Sequence, residues 1–158
     1  MKLWLGKKMI TFYSVVVFFI FADRYLKWYV FYGLTDEKIL LLKNFLSFGL
    51  SKNKNIAFSI PLSGRALEAA IFILLAAILI LIIKKGSELG QKIPFLILII
   101  VGGASNLYDR LSYGYVIDYF NLAFFAVFNL ADAMVTLGVL SLFFTNLGPD
   151  KEQTPLNR

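Results

Sequence analysis

The 158-residue chain contains no cysteine and no histidine. Without cysteine there are no disulfide bonds and no thiol nucleophiles, and without either residue there are no zinc sites built from these two ligands. A serine or cysteine nucleophile activated by histidine is excluded for the same reason. Carboxylates, lysines and hydroxyl groups are therefore the side chains that remain for chemistry.

Charged residues are scarce, at 16% of the chain, whereas 59% of the residues are hydrophobic. The mean hydropathy of +0.73 lies far above the balance of a soluble domain. The net charge is +6, but the basic residues are scattered among apolar runs and form no stripe that could follow a phosphate backbone. Composition therefore predicts a membrane protein and no nucleic-acid partner.

Four apolar segments have about the length that a helix needs to cross a bilayer, roughly 17–25 residues. The predicted fold is a single integral membrane domain, mainly α, with four transmembrane helices. The chain begins with the basic and apolar regions of a signal peptide, but its aromatic bulk and the lack of a small-x-small cleavage site favour an uncleaved first span. The predicted spans are residues 9–29, 66–83, 93–111 and 128–144.

Residues 33–65 contain no run of membrane length, and a structureless loop of this size would be unusual. The segments "KILLLKNFLSFGL" and "IAFSI", on either side of "SKNKN", predict two strands around a turn. A small β-rich cradle on the outer membrane face is the resulting expectation. A surface amphipathic helix over residues 39–46 is the open alternative.

Short, dense basic segments favour the cytoplasmic side of a membrane. This rule puts the N-terminus, the polar link "KKGSELGQK" at residues 84–92 and the tail at residues 145–158 in the cytoplasm. Helical spacing then groups the polar side chains of the spans into three clusters, all at the outer end of the bundle. A fourth group, from the connection between the third and fourth spans, falls at the same end. These residues are Asp23 with Lys27, Asn106 with Asp109 and Arg110, Asn129 with Asp132, and Asp118.

Several of these residues have simple structural interpretations. Asp23 and Lys27 have the i,i+4 spacing of an ion pair that stabilises a helix end. Asp109 beside Arg110 is compatible with an anchoring pair at the interface. Residues 102–105, "GGAS", have the small side chains of a face along which helices approach closely.

A carboxylate inside a membrane span is costly, so function is the default interpretation for Asp132. Asp118 and Asp132 together suggest a pair. Two carboxylates close together in a low-dielectric site cannot both ionise, so one keeps its proton while the other is charged. The charged member can deprotonate a water that attacks a peptide carbonyl, and the protonated member can donate to the developing oxyanion.

The ordered segments "DRYLK", "NKNIAFS", "GGASNLYDR", "YVIDYF" and "FNLADA" make the chain resemble the lipoprotein signal peptidases, also called signal peptidase II. The resemblance covers residues 23–138. It implies an aspartic endopeptidase of the bacterial cytoplasmic (inner) membrane that needs no cofactor or metal. The implied substrate is a diacylglyceryl-modified prolipoprotein, cut immediately before its lipidated cysteine, and the implied enzyme is a monomer surrounded by membrane lipid.

The same resemblance assigns roles by position. It implies that Asp118 and Asp132 are catalytic, with their site near the outer face. Where the family pattern has glycine and alanine after Asn53, this chain has Asn55 and Ile56. The implied substrate-binding residues are Asn53, Asn106, Arg110 and Asn129, and the implied structural supports are Asp23, Lys27 and Asp109.

Two alternatives remain open on the residues alone. A small proton-coupled carrier would distribute its acids through the membrane depth. A magnesium-dependent lipid-phosphate enzyme would use Asp109, Asp118 and Asp132 as ligands, with Arg110 on the phosphate.

Overall fold

A computed structural model describes residues 2–34, 38–43, 45–54, 64–123 and 126–147 of the chain. Within these ranges it has four α-helices and four β-strands, so the mainly helical prediction with a small sheet is confirmed. The helices are α1, Lys2–Gly33; α2, Arg65–Leu89; α3, Ile93–Tyr113; and α4, Leu130–Leu147. The strands are β1, Ile39–Leu42; β2, Leu46–Asn53; β3, Val116–Leu122; and β4, Ala126–Phe128.

Two helical stretches of the described residues are long and apolar enough to cross a membrane. They are Lys7–Gly33 and Arg65–Tyr113, with mean hydropathies of 1.6 and 3.0, and the second comprises α2 and α3. Helix α4 is apolar over the shorter stretch Leu130–Thr145. Helix α2 has no buried residue, and side chains such as Phe72 are mostly exposed. Large apolar side chains exposed in this way are typical of helices that face lipid.

Helices α2 and α3 form a hairpin that turns at Gly90–Lys92. The first six residues of the polar link predicted at residues 84–92 are helical, because α2 continues to Leu89 with a local distortion at Lys85. Lysine, serine and glutamate are acceptable in a helix, and Lys85 pairs with Glu88 at 3.4 Å. The turn itself uses Gly90 at a positive φ of 48°.

The sheet is antiparallel, with strand order β1-β2-β3-β4. The turn predicted over "SKNKN" is wrong, because β2 continues to Asn53 and the first hairpin turns around Phe45. The alternative helix over residues 39–46 is also wrong, since β1 and β2 pair there. The strand predicted at "IAFSI" lies outside the described residues, as does residue 148 onward of the predicted tail.

Half of the sheet comes from the connection between α3 and α4, where no strand was predicted. Helix α3 ends at Tyr113 and is capped by Gly114, which adopts a left-handed conformation, and β3 begins two residues later. Strand β3 pairs with β2, and Asp118 lies opposite Ser51. Ile117 and Tyr119 of β3 pack with Val30 of α1 in a buried cluster. The sheet therefore covers the C-terminal end of α1.

Helices α3 and α4 approach each other closely at Gly102. A Cβ atom at this position would lie 2.5 Å from the backbone oxygen of Ala131, next to Asp132. The neighbouring Gly103 faces a different helix, and its Cβ would lie 2.8 Å from the Leu75 side chain of α2. The predicted close-packing face thus serves two neighbours.

Because these two contacts differ, replacing Gly102 or Gly103 with alanine should have unequal effects on stability. Gly102→Ala should destabilise the protein by about 1–3 kcal/mol, because the α4 backbone beside Asp132 must move. Gly103→Ala is the matched control, since it gives the same gain in helix propensity while only the flexible end of Leu75 must shift. Thermal unfolding in detergent measures the effect. Equal melting temperatures for the two variants would contradict this account.

Candidate active site

Asp132 lies in the first turn of α4 and is held there by Asn129. The Asn129 side-chain oxygen accepts a hydrogen bond from the Asp132 backbone N–H at 2.8 Å. In return, Oδ2 of Asp132 accepts one from the Asn129 backbone N–H at 3.2 Å. This reciprocal arrangement is a capping box, which satisfies the free N–H groups at a helix start. It fixes the Asp132 carboxylate at the end of α4.

Asp118 approaches the same place from the sheet. It is fully buried on β3, and its two carboxylate oxygens accept hydrogen bonds from two asparagines. Asn129 Nδ2 donates to Oδ1 at 2.7 Å, and Asn53 Nδ2 of β2 donates to Oδ2 at 2.9 Å. One residue, Asn129, therefore contacts both carboxylates.

The side-chain amides of Asn129 and Asn106 are each held in one orientation by a neighbouring group that can only donate a hydrogen bond. The backbone N–H of Asp132 requires the oxygen of Asn129, which directs its Nδ2 to Asp118. Lys27 Nζ donates to Oδ1 of Asn106 at 2.9 Å, which directs Asn106 Nδ2 to Asp132 at 2.7 Å. Neither a backbone N–H nor an ammonium group can accept a hydrogen bond. Reversing either side-chain amide would therefore lose a hydrogen bond.

A buried charged cluster lies behind these amides. Lys27 is fully buried and forms ion pairs with Asp23 at 3.0 Å, at the predicted spacing, and with Asp109 at 2.8 Å. Asp109, which the sequence paired with Arg110, pairs with Arg24 at 2.6 Å. Ser105 donates to Asp23 at 2.7 Å. The two negative charges of Asp23 and Asp109 are thus balanced by the two positive charges of Lys27 and Arg24, between α1 and α3.

The charged cluster also caps α4. Asp23 Oδ1 accepts hydrogen bonds from the Tyr119 hydroxyl at 2.9 Å and from the Ala131 backbone N–H at 3.2 Å. The Tyr119 oxygen accepts one from the Leu130 backbone N–H at 2.9 Å. The first N–H groups of α4 are therefore bound by side chains from α1 and β3, the strand that carries Asp118.

Burial and the nearby charge of Asp132 raise the pKa of the Asp118 carboxyl from its usual value to about 7. Hydrogen bonds from Asn53 and Asn129 oppose this increase. Asp132 is only partly buried. The site thus combines one enclosed carboxyl that can keep its proton near neutrality with one carboxyl that is partly exposed.

The structure brings together most of the residues that the sequence singled out. Arg110, at the end of α3, lies within electrostatic range of both Asp118 and Asp132. Asn55 and Ile56, the departures from the family pattern, lie outside the described residues. Asp118, Asp132, Asn53, Asn106 and Asn129 form one hydrogen-bonded group, and Asp23, Lys27 and Asp109 support it.

Three further residues of the network were not identified as site residues from the sequence. Arg24 could have been found, because a second cation on an apolar helix needs a partner. Ser105 was assigned only to close packing, and its small side chain gives no other signal. Tyr119 was missed because it follows Asp118 in a strand, where neighbouring side chains point to opposite faces. A strand with one exposed face would place Tyr119 in solvent, but β3 is buried on both faces at this point.

Tyr119→Phe isolates the hydroxyl contribution, because the ring and its packing remain. We expect a loss of about 1 kcal/mol of stability and a few-fold loss of turnover, since Leu130 N–H loses its acceptor. Tyr115→Phe is the matched control, as its hydroxyl makes no hydrogen bond within the described residues. Thermal unfolding and turnover should be measured together. Indistinguishable behaviour of the two variants would contradict the capping role.

The two alternative functions require different arrangements. A magnesium site needs Asp109 to join Asp118 and Asp132, but Asp109 is bound by Arg24 and Lys27. The part of the chain that the structure describes holds no group of three acidic side chains arranged to bind a metal ion. A proton carrier needs acids at several depths, whereas these acids lie together at one end.

Comparison with known proteins confirms the resemblance. The family described as Signal peptidase (SPase) II matches residues 15–147. A lipoprotein signal peptidase of Caldicellulosiruptor bescii is 37% identical, over 78% of this chain and 81% of its own length. That of Streptococcus pneumoniae is 34% identical, over 84% and 90%. A solved structure described as a bacterial membrane enzyme has the same fold, with a TM-score of 0.76, 22% identity and 94% of each chain covered. The chain therefore belongs to the signal peptidase II family and is a membrane-embedded peptidase.

Proposed function

We propose that this enzyme removes signal peptides from diacylglyceryl-modified prolipoproteins, cutting immediately before the lipidated cysteine. The names of its relatives support the substrate class, since they are lipoprotein signal peptidases. The observation that carries the mechanism is the pair of carboxylates, Asp118 and Asp132, that share Asn129 as a hydrogen-bond partner.

In the proposed mechanism Asp118 is the acid and Asp132 the base. The enclosed Asp118 has a pKa of about 7, because burial and the charge of Asp132 favour its neutral form. The more open Asp132 carries the charge. A water between the two loses its proton to Asp132 as it attacks the scissile carbonyl carbon. Asp118 donates its proton to the oxygen that becomes negative.

Collapse of the tetrahedral intermediate completes the reaction. The proton now held by Asp132 passes to the amine nitrogen and the peptide C–N bond breaks. The carbonyl re-forms as one hydroxyl of the intermediate returns its proton to Asp118, so both carboxyls regain their starting protonation. Asn129 and Asn106 hold the two carboxyls in place, and their amide orientation is fixed by donor-only groups. Asn53 and Arg110 lie at the edge of the site, where they are suited to bind substrate backbone.

The membrane arrangement is part of the proposal. Helices α1 to α4 all cross the bilayer, both termini are cytoplasmic, and the sheet lies at the outer face over the aspartates. The enzyme acts as a monomer. A substrate held in the membrane by its acyl chains and signal peptide then reaches the site laterally, within the outer leaflet.

Cleavage of a purified prolipoprotein, with and without its diacylglyceryl group, tests the function. Mass spectrometry should find one cut, immediately before the cysteine, in the lipidated substrate and little in the unmodified one. A chelator should leave the rate unchanged. A cut elsewhere, equal cleavage of both substrates, or loss of activity with chelator would contradict the proposal.

The pH dependence of turnover tests the assignment of the acid. Because Asp118 must be protonated, turnover should fall as the pH rises through about 7, the pKa of its carboxyl. The Asn53 hydrogen bond lowers that pKa, so Asn53→Ala should move the alkaline fall to higher pH. The two carboxyls titrate as a pair, so the fall reports an apparent pKa. An alkaline limb that stays in place or moves down in Asn53→Ala would contradict Asp118 as the acid.

A further inference from the structure

A second polar cavity lies beside the charged cluster, between α1 and α3. It has a volume of about 280 Å³, and its lining includes Arg24, Trp28, Tyr32, Tyr108 and Tyr113. No step of the proposed cleavage uses it. Five aromatic side chains, Phe31 among them, and two cations, the accessible Arg24 and the buried Lys27, therefore line a space that the peptidase reaction leaves unexplained.

Arg24 is only partly used by the protein. Its Nη1 atom contacts Asp109 at 2.6 Å and Ser105 at 3.4 Å, and its guanidinium lies 4.6 Å from the centre of the Tyr108 ring. Within the described residues its Nη2 and Nε atoms have no hydrogen-bond partner, and the side chain remains 33% exposed. An arginine on an apolar helix needs partners for its remaining donors.

The cavity lies at a level where phospholipid head groups are expected. Trp28, Tyr32 and Tyr108 are exposed on α1 and α3 near their sheet-proximal ends. Tryptophan and tyrosine concentrate at the membrane–water interface, with their rings among the head groups. The guanidinium plane matches a phosphate with two parallel hydrogen bonds, and aromatic walls suit the glycerol region beneath it.

We propose that this cavity binds the phosphate of an anionic phospholipid through Arg24. The residues that line this cavity include neither of the two proposed catalytic aspartates nor any of the implied substrate-binding residues, and a diacylglyceryl group carries no phosphate. Through Asp109 and Lys27, Arg24 is connected to Asn106 and so to Asp132. The inference uses the membrane placement of the proposed function but does not require the peptidase mechanism.

Trp28 provides a direct measurement of binding. The chain has two tryptophans, and Trp4 lies 24 positions earlier on α1, about 36 Å away along the helix. In a Trp4→Phe background, Trp28 is the only tryptophan, and it lines the cavity. The protein is reconstituted in phosphatidylcholine vesicles containing phosphatidylglycerol in both leaflets. Bromine atoms near the head group are placed on one lipid or the other, and quenching gives their relative occupancy.

We expect phosphatidylglycerol to occupy the Trp28 environment about fivefold more than its share of the bilayer. Arg24→Gln should remove this preference. Arg65→Gln, which removes an exposed cation at the start of α2, is the matched control and should keep it. Equal quenching by both lipids in the unsubstituted cavity would overturn the proposal, as would equal effects of the two variants.

Two further experiments address a folding failure of Arg24→Gln and a soluble anion as the competing ligand. If Arg24→Gln fails to fold, Arg24→Lys keeps the ion pair with Asp109 but loses the planar donor fork, and a reduced preference is expected. Inorganic phosphate, compared with chloride at equal ionic strength, should leave the lipid preference unchanged. Displacement of the lipid by inorganic phosphate would identify a soluble anion as the ligand and overturn the lipid assignment. Because binding is read without cleavage, a failed peptidase assay and a failed lipid assay are distinguishable.

Discussion

Asp118→Asn and Asp132→Asn are each expected to lower turnover of a lipidated prolipoprotein by about 1,000-fold or more, while the protein remains folded. Asparagine cannot accept the proton of the attacking water or donate one of comparable acidity, and general acid–base catalysis contributes about 10²–10⁴. The folding cost should be small, about 1–2 kcal/mol, because an amide keeps one acceptor for the surrounding asparagines. Single-turnover cleavage with saturating enzyme measures the chemical step directly.

Glu88→Gln is the matched control for these two variants. Glu88 is an exposed carboxylate near the end of α2, where it pairs with Lys85, and it lies outside the hydrogen-bonded group. Turnover of this variant should stay within about twofold of the unsubstituted enzyme, as for a surface change. A rate above about a tenth of normal in Asp118→Asn or Asp132→Asn would remove that residue from the chemistry.

Lys27→Met is expected to have the largest effect on stability. The buried ammonium neutralises Asp23 and Asp109. Its removal leaves Asp109 with Arg24 as an ion-pair partner and leaves Asp23 with none within the described residues. Breaking a buried pair on one side costs about 3–5 kcal/mol. Lys85→Met, which removes an exposed lysine paired with Glu88, should cost less than about 1 kcal/mol. Chemical or thermal unfolding in detergent compares the two.

A double variant separates charge from catalysis. Lys27→Met/Asp23→Asn restores neutrality, so it should be more stable than Lys27→Met alone, and the coupling should exceed about 1 kcal/mol. Its turnover should nevertheless stay low. The Asn106 oxygen then keeps only the hydrogen bond from Asn129 Nδ2, so the Asn106 amide is held less firmly in the orientation that donates to Asp132. If the double variant were no more stable than the single one, an unpaired charge would not be the cause. If its turnover recovered, Lys27 would not position Asn106.

Local periodicity made part of the site predictable. Asp23 and Lys27 are four residues apart on one helix, so their ion pair follows from helical geometry alone. The reciprocal contact of Asn129 and Asp132 has the same local origin, since three residues separate a helix cap from its partner. The sheet was predicted less well, because β3 pairs with β2, and helices α2 and α3 separate these two strands in the chain.

The sequence by itself determined that the chain lies in a membrane, that its chemistry depends on carboxylates, and that these gather at one end of the helices. These features follow from composition and from spacings within single helices. The tertiary structure decided that Asp109 pairs with Arg24 and Lys27, that Tyr119 and Asp23 cap α4, and that the amide of Asn106 faces Asp132. Each of these contacts joins separate elements, and the one between Asp23 and Ala131 spans 108 positions. No local spacing rule predicts such a contact. It depends on which polar groups the packed helices and sheet bring within hydrogen-bonding distance of a buried group that needs a partner.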